Sequence, residues 1–425
     1  MNFQELGLPA NLMQAIEKAG FQTPTEIQAK TIPLVLQGKD LIAQSATGSG
    51  KTLAFGAGII QNAQKGRGLQ ALVLTPTREL AEQVMQALQK FCRHQLDIQA
   101  IYGGVGIGPQ IRQLPHADVV VATPGRMLDH LERRTVRLDQ VHTLVLDEAD
   151  RMIDMGFIRD VERILKECPK NRQTMLFSAT LAPEIQHIAR KHMQTPLTIK
   201  AETFVDPKKL TQIYYNVPRN QKLSLLVHLL QKETTGLVMI FCNTRRITDF
   251  VTKALRQNSI EATAIHGGLT QNKRSNTLER FHSQRTQVLV CTDVASRGLD
   301  IPNVSHIYNY DLPADPKQYI HRIGRTARAG KEGRVINLLS PEDHEAFYLV
   351  QREYDVNIRK EITPATPRIS IPQREEGGRG TGGRFGARPG PRRFERSDRD
   401  SRPSRSSGPR RFDRPPARAP RWGSR

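Results

Sequence analysis

The chain has 425 residues, a formal net charge of +21 and four cysteines, a length too great for one hydrophobic core that suggests two domains plus an extension. Cys92, Cys168, Cys242 and Cys291 stand far apart with no C-x-x-C pair, which argues against a disulfide framework or a zinc site and for a reducing, cytoplasmic setting. The opening Met-Asn-Phe-Gln-Glu-Leu lacks the layout of a signal peptide, and no run approaches the ~18 apolar residues of a membrane span.

In chain order, short β-rich apolar runs alternate with segments of helical period, the pattern of parallel sheets covered by helices. Strands are predicted at Leu41 to Gln44, Ala71 to Thr75, Asp118 to Thr123, Thr143 to Asp147 and Thr174 to Ser178, with a helix over Pro76 to Arg93 that aligns Leu80, Val84, Leu88 and Phe91. After a polar stretch around Thr203 to Lys209, read as a hinge, the alternation restarts. Strands follow at Leu237 to Phe241, Thr263 to Ile265, Gln287 to Thr292, Ser305 to Tyr308 and Arg334 to Leu339. The domains are therefore placed at 1–206, 207–360 and 361–425.

From Glu361 onward 17 Arg and no Lys stand against 7 Asp or Glu, a surplus of +10, so both the folded part and the extension are basic and favour a polyanion partner. This last segment is Pro, Gly, Ser and Arg with isolated Phe385, Phe394, Phe412 and Trp422. Such a composition cannot bury enough apolar surface to offset chain entropy, and a disordered tail is expected. Its interleaved guanidinium groups and rings suit stacking on unpaired bases and contact with phosphates, although a charge run is also compatible with a solvated tail.

Two motifs carry chemistry. Ser45-Ala46-Thr47-Gly48-Ser49-Gly50-Lys51-Thr52 reads as a phosphate loop, in which backbone N–H groups meet phosphates, Lys51 supplies a cation and Thr52 a hydroxyl for Mg²⁺. The apolar run Leu144-Val145-Leu146 then delivers Asp147-Glu148-Ala149-Asp150, carboxylates at a strand end where a metal and an attacking water would sit. Either motif is modest alone. Together they specify a nucleoside-triphosphate site.

The ordered set of motifs resembles the DEAD-box ATP-dependent RNA helicases, of the bacterial RhlE-like kind. Phe3 precedes Gly20-Phe21-Gln22-Thr23-Pro24-Thr25-Glu26-Ile27-Gln28, similar to the family's adenine-sensing Q motif. Pro76-Thr77-Arg78-Glu79-Leu80, Gly103-Gly104, Thr123-Pro124-Gly125-Arg126, the acidic tetrad and Ser178-Ala179-Thr180 follow. The second half contributes Phe241-Cys242-Asn243-Thr244, Gln271-Asn272-Lys273-Arg274, Thr292 to Asp300, and His321-Arg322-Ile323-Gly324-Arg325-Thr326-Ala327-Arg328. Ser45 stands where the family usually has Ala, and Ala327 where it has Gly.

The resemblance implies an α/β fold of two tandem RecA-like parallel-sheet domains followed by the basic tail. It implies an RNA-stimulated ATPase that locally unwinds short RNA duplexes or remodels RNA–protein complexes. Phosphoryl transfer to water needs positioning and converging cations. Lys51, Thr52 and Asp147 are assigned to the phosphates and Mg²⁺, Glu148 to the attacking water, and Asp150, Ser178, Thr180 and His321 to coupling. Asp300 is placed at the nucleotide. By resemblance Arg325 and Arg328 are arginine fingers; if that segment is helical, their spacing of three puts them on one face. Taken alone, Arg322, Arg325 and Arg328 read equally as a solvated or RNA-facing patch.

For the base, the Gln28 carboxamide both accepts and donates, matching adenine, with Phe3 or Phe21 stacking. RNA contacts are expected from Arg78, Gly104, Thr123 and Arg126 and from Asn243, Gln271, Arg274 and Thr292, which fall mostly at strand ends or helix starts and read backbone and sugar rather than bases. The partner is RNA with little sequence specificity, serving ribosomal or mRNA-decay complexes; the chain is read as a monomer without membrane attachment. A nucleotide-regulated RNA clamp without turnover and a DNA-translocating helicase are the competing readings.

Overall fold

The computed structural model describes residues 2–45, 48–201, 210–232, 236–296, 301, 304–326, 333–354, 356–366 and 369. Fourteen strands are defined among them: β1 Leu41–Gln44, β2 Ala71–Leu74, β3 Ile98–Ile101, β4 Val119–Ala122, β5 Thr143–Leu146, β6 Gln173–Ser178, β7 Leu197–Lys200, β8 Leu210–Asn216, β9 Leu237–Phe241, β10 Ala262–Ile265, β11 Val288–Cys291, β12 Val304–Asn309, β13 Gly333–Leu339 and β14 Arg359–Glu361. They form two seven-stranded sheets, ordered β3-β4-β2-β5-β6-β1-β7 and β10-β11-β9-β12-β13-β8-β14. Every pairing is parallel. Each strand of the second sheet takes the place of the strand seven earlier in the first, so one winding occurs twice. Both sheets lie within one compact unit, Met1–Gln373.

Apolar residues on both faces explain why the central strands read as continuous hydrophobic runs. In the first lobe Val73, Val121, Val145 and Phe177 enter one core, while Leu72, Val120, Leu144 and Leu176 enter the other. In the second, Met239 and Phe241 face one cluster and Val238 and Ile240 the opposite one. Each such side chain, fully buried, contributes about 1.5–3 kcal/mol of transfer free energy. The helix Arg78–Phe91 buries Leu80, Val84 and Leu88 against the first core, with Thr77 accepting from the Leu80 N–H at its start.

Four strands escape sequence reading: β3, β7, β8 and β14. Three are at sheet edges, where polar or charged residues replace the apolar run, as in Thr198 and Lys200 or Arg359, Lys360 and Glu361. β8 is internal but carries the buried polar Gln212. β14 and the Thr363 hydroxyl, which donates to Asn216 O at 2.8 Å, also carry the folded part past 361, where the extension was placed. The segment read as a hinge and the basic tail beyond Ile369 lie outside the described residues. All four cysteines are buried; burial pushes the Cys168 thiol up to about 11 and raises Cys242 and Cys291 as well.

Candidate nucleotide site and RNA-facing loops

Parallel strands point their C-terminal ends the same way, and the loops leaving those ends gather the polar residues. β1 exits into Ser45, whose N–H donates to Ser178 O at 2.9 Å, and the chain returns through Gly48, Ser49 and Gly50 to the helix Lys51–Asn62. Gly50 has φ +91°, and any side chain there would collide with the Gln28 carboxamide. Gln28 itself donates to Gly50 O at 3.0 Å and accepts from Thr25 N at 2.9 Å, while the Thr25 hydroxyl donates to Ser49 O at 2.7 Å. The Gln28 segment thus clasps the phosphate loop from outside. Ala46 and Thr47 lie outside the described residues.

Phe3 is buried in the first core, packed among Leu and Ile, whereas Phe21 is 50% exposed. Of the two aromatics named for the base, Phe21 is the exposed one.

Lys51 Nζ lies 3.5 Å from Asp147 Oδ1, and both groups are buried. Burial raises the Asp147 carboxyl above the usual range, the neighbouring Glu148 adds to the rise, and Lys51 opposes it. Asp147 Oδ1 is buried with no hydrogen-bond partner. A carboxylate oxygen so placed fits a hard cation, with the Thr52 hydroxyl one residue beyond the lysine. Glu148 adopts φ +52°, an uncommon left-handed conformation for a non-glycine residue, at the start of the helix Ala149–Asp154. Its Oε2 accepts from Arg151 Nη1 at 2.8 Å, and both side chains are buried. Asp150 turns away from Lys51: its Oδ2 accepts from Ala179 N and Thr180 N, each at 3.2 Å, and its N–H donates to Ser178 Oγ.

In the second lobe Arg322 is 1% exposed. It grips Asp293 through two bonds of 2.6 and 2.7 Å, donates to Asn309 Oδ1, Asp311 O and Asn243 Oδ1, and lies over the Phe241 ring. Arg322 is therefore an internal hub and not a solvated patch. Its partners come from three separate segments, around Phe241 to Asn243, Asp293 and Asn309 to Asp311, which no local spacing reveals. Arg325 is also buried, but the helix Pro316–Ile323 ends before it, and Thr326 bridges to Val304. The helical condition set for a face shared by Arg325 and Arg328 is not met at Arg325, because Gly324 caps the helix and Thr326 bridges to β12. Arg328, Asp300 and Ala327 lie outside the described residues. His321 sits in the last turn of that helix.

The residues expected on an RNA track are mostly engaged with the protein as well. The Arg78 guanidinium occupies the space a side chain on Gly104 would need, and Gly104 has φ +80°. Arg126 donates to Gln110 Oε1 at 3.1 Å and Val105 O at 2.9 Å. Thr123 and Thr292 continue their sheets by donating from N–H to Ile101 O and Ile265 O. Asn243 donates to Leu312 O. Gln271 and Arg274, on the helix Gln271–His282, both reach Glu79 Oε1, at 3.2 and 2.9 Å. Glu79 thereby joins the lobes, yet Gln271 Oε1 and Arg274 Nε remain buried without a partner. Glu79, Arg151 and Gln110 received no role from sequence; Glu79 lay inside a quoted motif, while nothing local marked the other two.

A DEAD/DEAH box helicase family model matches residues 25–188, and a Helicase conserved C-terminal domain model matches residues 221–330. The chain is 46% identical over 355 residues to the DEAD-box ATP-dependent RNA helicase CshA of Geobacillus kaustophilus, covering 82% of this chain and 76% of that protein. It is 47% identical over 358 residues to the ATP-dependent RNA helicase CshA of Listeria monocytogenes, covering 82% and 68%. Its structure is similar to S. cerevisiae Dbp5 bound to RNA and ADP BeF3, with TM-score 0.78, 33% identity and coverage of 85% of this chain and 95% of that one. It is likewise similar to Mss116p bound to ssRNA and AMP-PNP, at TM-score 0.76 and 29% identity, covering 86% and 79%.

Proposed function

This chain belongs to the DEAD-box ATP-dependent RNA helicases, and from that premise we propose how its residues divide the work of RNA-stimulated ATP hydrolysis and local RNA unwinding. The observation that carries the assignment is the buried grouping of Lys51, Asp147 and Glu148 at the ends of β1 and β5, in which Asp147 Oδ1 faces Lys51 at 3.5 Å and accepts no hydrogen bond. Thr52 and Asp147 would hold a magnesium ion, which when bound supplies positive charge beside the phosphate oxygens. Lys51 leaves Asp147 for the terminal phosphates of ATP, and Glu148 orients the attacking water and takes its proton. Arg151 fixes one oxygen of Glu148. Asp150, Ser178 and Thr180 transmit the state of this site to the rest of the lobe, with His321 answering from the second lobe.

Phe21 stacks on adenine. Gln28 reads the base with the hydrogen and lone pair that its bonds to Gly50 and Thr25 leave over, since a carboxamide carries two donors and two acceptor sites. Arg325, with Arg328 and Asp300 assigned by resemblance alone, supplies cationic charge and contacts from the second lobe. Gln271 Oε1 and Arg274 Nε, buried and unpaired, favour RNA sugar or phosphate as their missing partner. Arg78, Gly104, Thr123, Arg126, Asn243 and Thr292 shape the same track. Our reading of the subtype is RhlE-like, while the relatives reported above carry the name CshA. We further read the protein as a cytoplasmic monomer acting on ribosomal or messenger-decay RNA; no helix among the described residues is long and apolar enough to cross a membrane.

RNA-dependent phosphate release tests the central assignment. Glu148→Gln is expected to lower it by at least about 100-fold while ATP-dependent RNA binding persists. Unchanged hydrolysis would contradict the role. Removing residues 370–425 is expected to flatten the salt dependence of RNA affinity and spare turnover at saturating RNA; equal salt slopes would exclude the tail as an RNA anchor.

A further inference from the structure

Gln110 lies outside all the motif strings, on the helix Ile107–Gln113, and the residue is 7% exposed. A buried amide costs free energy unless its donors and acceptors are met, so the identity of its partners shows what the residue is kept for. Its Nε2 donates to Tyr102 O at 3.1 Å. Its Oε1 accepts from Arg126 Nη1 at 3.1 Å and stands 3.3 Å from His130 Nε2. Arg126 uses its other terminal nitrogen, Nη2, to hold Val105 O at 2.9 Å.

Tyr102 and Val105 flank Gly103 and Gly104. Gln110 therefore fixes the carbonyl entering that glycine pair, and Arg126, oriented by Gln110, fixes the carbonyl leaving it. From below, the Arg78 guanidinium fills the place a Gly104 side chain would take. The loop of the glycine pair and the first turn of the helix Pro124–Glu132, which bears Arg126, are thus tied through one side chain.

We propose that Gln110 is a positioning residue for RNA, one that locks the Tyr102–Val105 loop and Arg126 into a single preformed surface for the sugar-phosphate backbone. The inference rests on the reading of Gly104 and Arg126 as RNA-facing. A loop held in its bound shape avoids the ordering cost that binding otherwise incurs, so the effect belongs to RNA affinity and not to the chemical step. An apolar side chain of equal volume would fill the space but leave Tyr102 O and Arg126 without this link.

The test uses the full chain with single-stranded oligouridylate. It measures the RNA concentration for half-maximal ATPase stimulation, turnover at saturating RNA, KM for ATP and the unfolding midpoint. Gln110→Met is expected to raise the half-stimulating RNA concentration about 10-fold, the equivalent of one or two lost hydrogen bonds, with turnover and KM for ATP within about twofold. Gln110→Glu, near-identical in size, keeps an acceptor for Arg126 but turns an acceptor toward Tyr102 O, and is expected to shift RNA affinity in the same direction. Arg126→Ala serves as the control. If Arg126→Ala weakens RNA stimulation and neither Gln110 variant does, the positioning role is overturned while the loop's RNA role stands. If none of the three does, the RNA reading of the loop itself falls. A parallel rise in KM for ATP and fall in the unfolding midpoint would mark Gln110 as an ordinary core residue.

Discussion

The two lobes repeat one strand order but treat the first strand-to-helix connection in opposite ways. After β1 the chain passes through Gly48 and Gly50, both at positive φ, to Lys51. After β8 it passes through Val217, Pro218 and a tight turn at Arg219–Gln221 to Lys222, the lysine in the corresponding place. Lys222 Nζ is fully engaged, 2.6 Å from Asp343 Oδ2 and 3.0 Å from Tyr310 O. Burial alone would raise the Asp343 carboxyl, but hydrogen bonds from Lys222 and Ser340 overcome it and hold it below the usual range. Lys51 instead stands 3.5 Å from the oxygen of a carboxylate that burial has raised, and that oxygen accepts no hydrogen bond. One scaffold thus carries a sealed structural pin in one lobe and an unsatisfied pocket in the other. Function follows the loop and not the winding.

Exchanging the same substitution between the two lysines is the strongest way to break this contrast. Lys51→Met is expected to cut RNA-stimulated turnover by about 1000-fold with little change in the unfolding midpoint. Lys222→Met is expected to destabilise the second lobe by about 3 kcal/mol in urea unfolding, because it strands the Asp343 charge. The reverse pattern would end the distinction. Arg322→Lys loses the paired grip on Asp293 and should cost roughly 2–4 kcal/mol of stability, since a lysine cannot reproduce the planar fork. Its absence from unfolding curves would return Arg322 to the surface-patch reading.

Smaller effects sharpen the loop argument. Gly50→Ala meets both a positive φ and the Gln28 carboxamide, and an increase of about 10-fold in KM for ATP is expected from ~1–2 kcal/mol of strain. Acid titration gives the smallest signal. Asp343 has a folded pKa below its unfolded value, so its stabilising contribution is present above the unfolded pKa and lost as pH falls through the folded one. The wild-type chain should show that loss below the ordinary carboxylate range, and Lys222→Met should largely remove it.

Much of the fold was legible because buried parallel strands are written as uninterrupted apolar runs. Leu237 to Phe241 and Leu41 to Gln44 match the predicted limits. The charged β14 and the mixed β7 lack that signal, since an edge strand needs only one apolar neighbour. The candidate nucleotide loop and tetrad could be singled out in sequence because each is a contiguous run of residues. What sequence could not supply was commitment: whether Arg322 faces water or Asp293, whether Phe3 or Phe21 is exposed, or that Gln271 and Arg274 converge on Glu79. Each depends on partners from distant segments.

The sequestered thiols have a practical corollary for watching this molecule work. With all four native sulfurs inside the cores and held protonated there at three of them, an alkylating dye has no accessible native target in the folded chain. A pair of surface cysteines introduced one per lobe could be labelled without first deleting any natural one, giving a distance ruler between the two lobes.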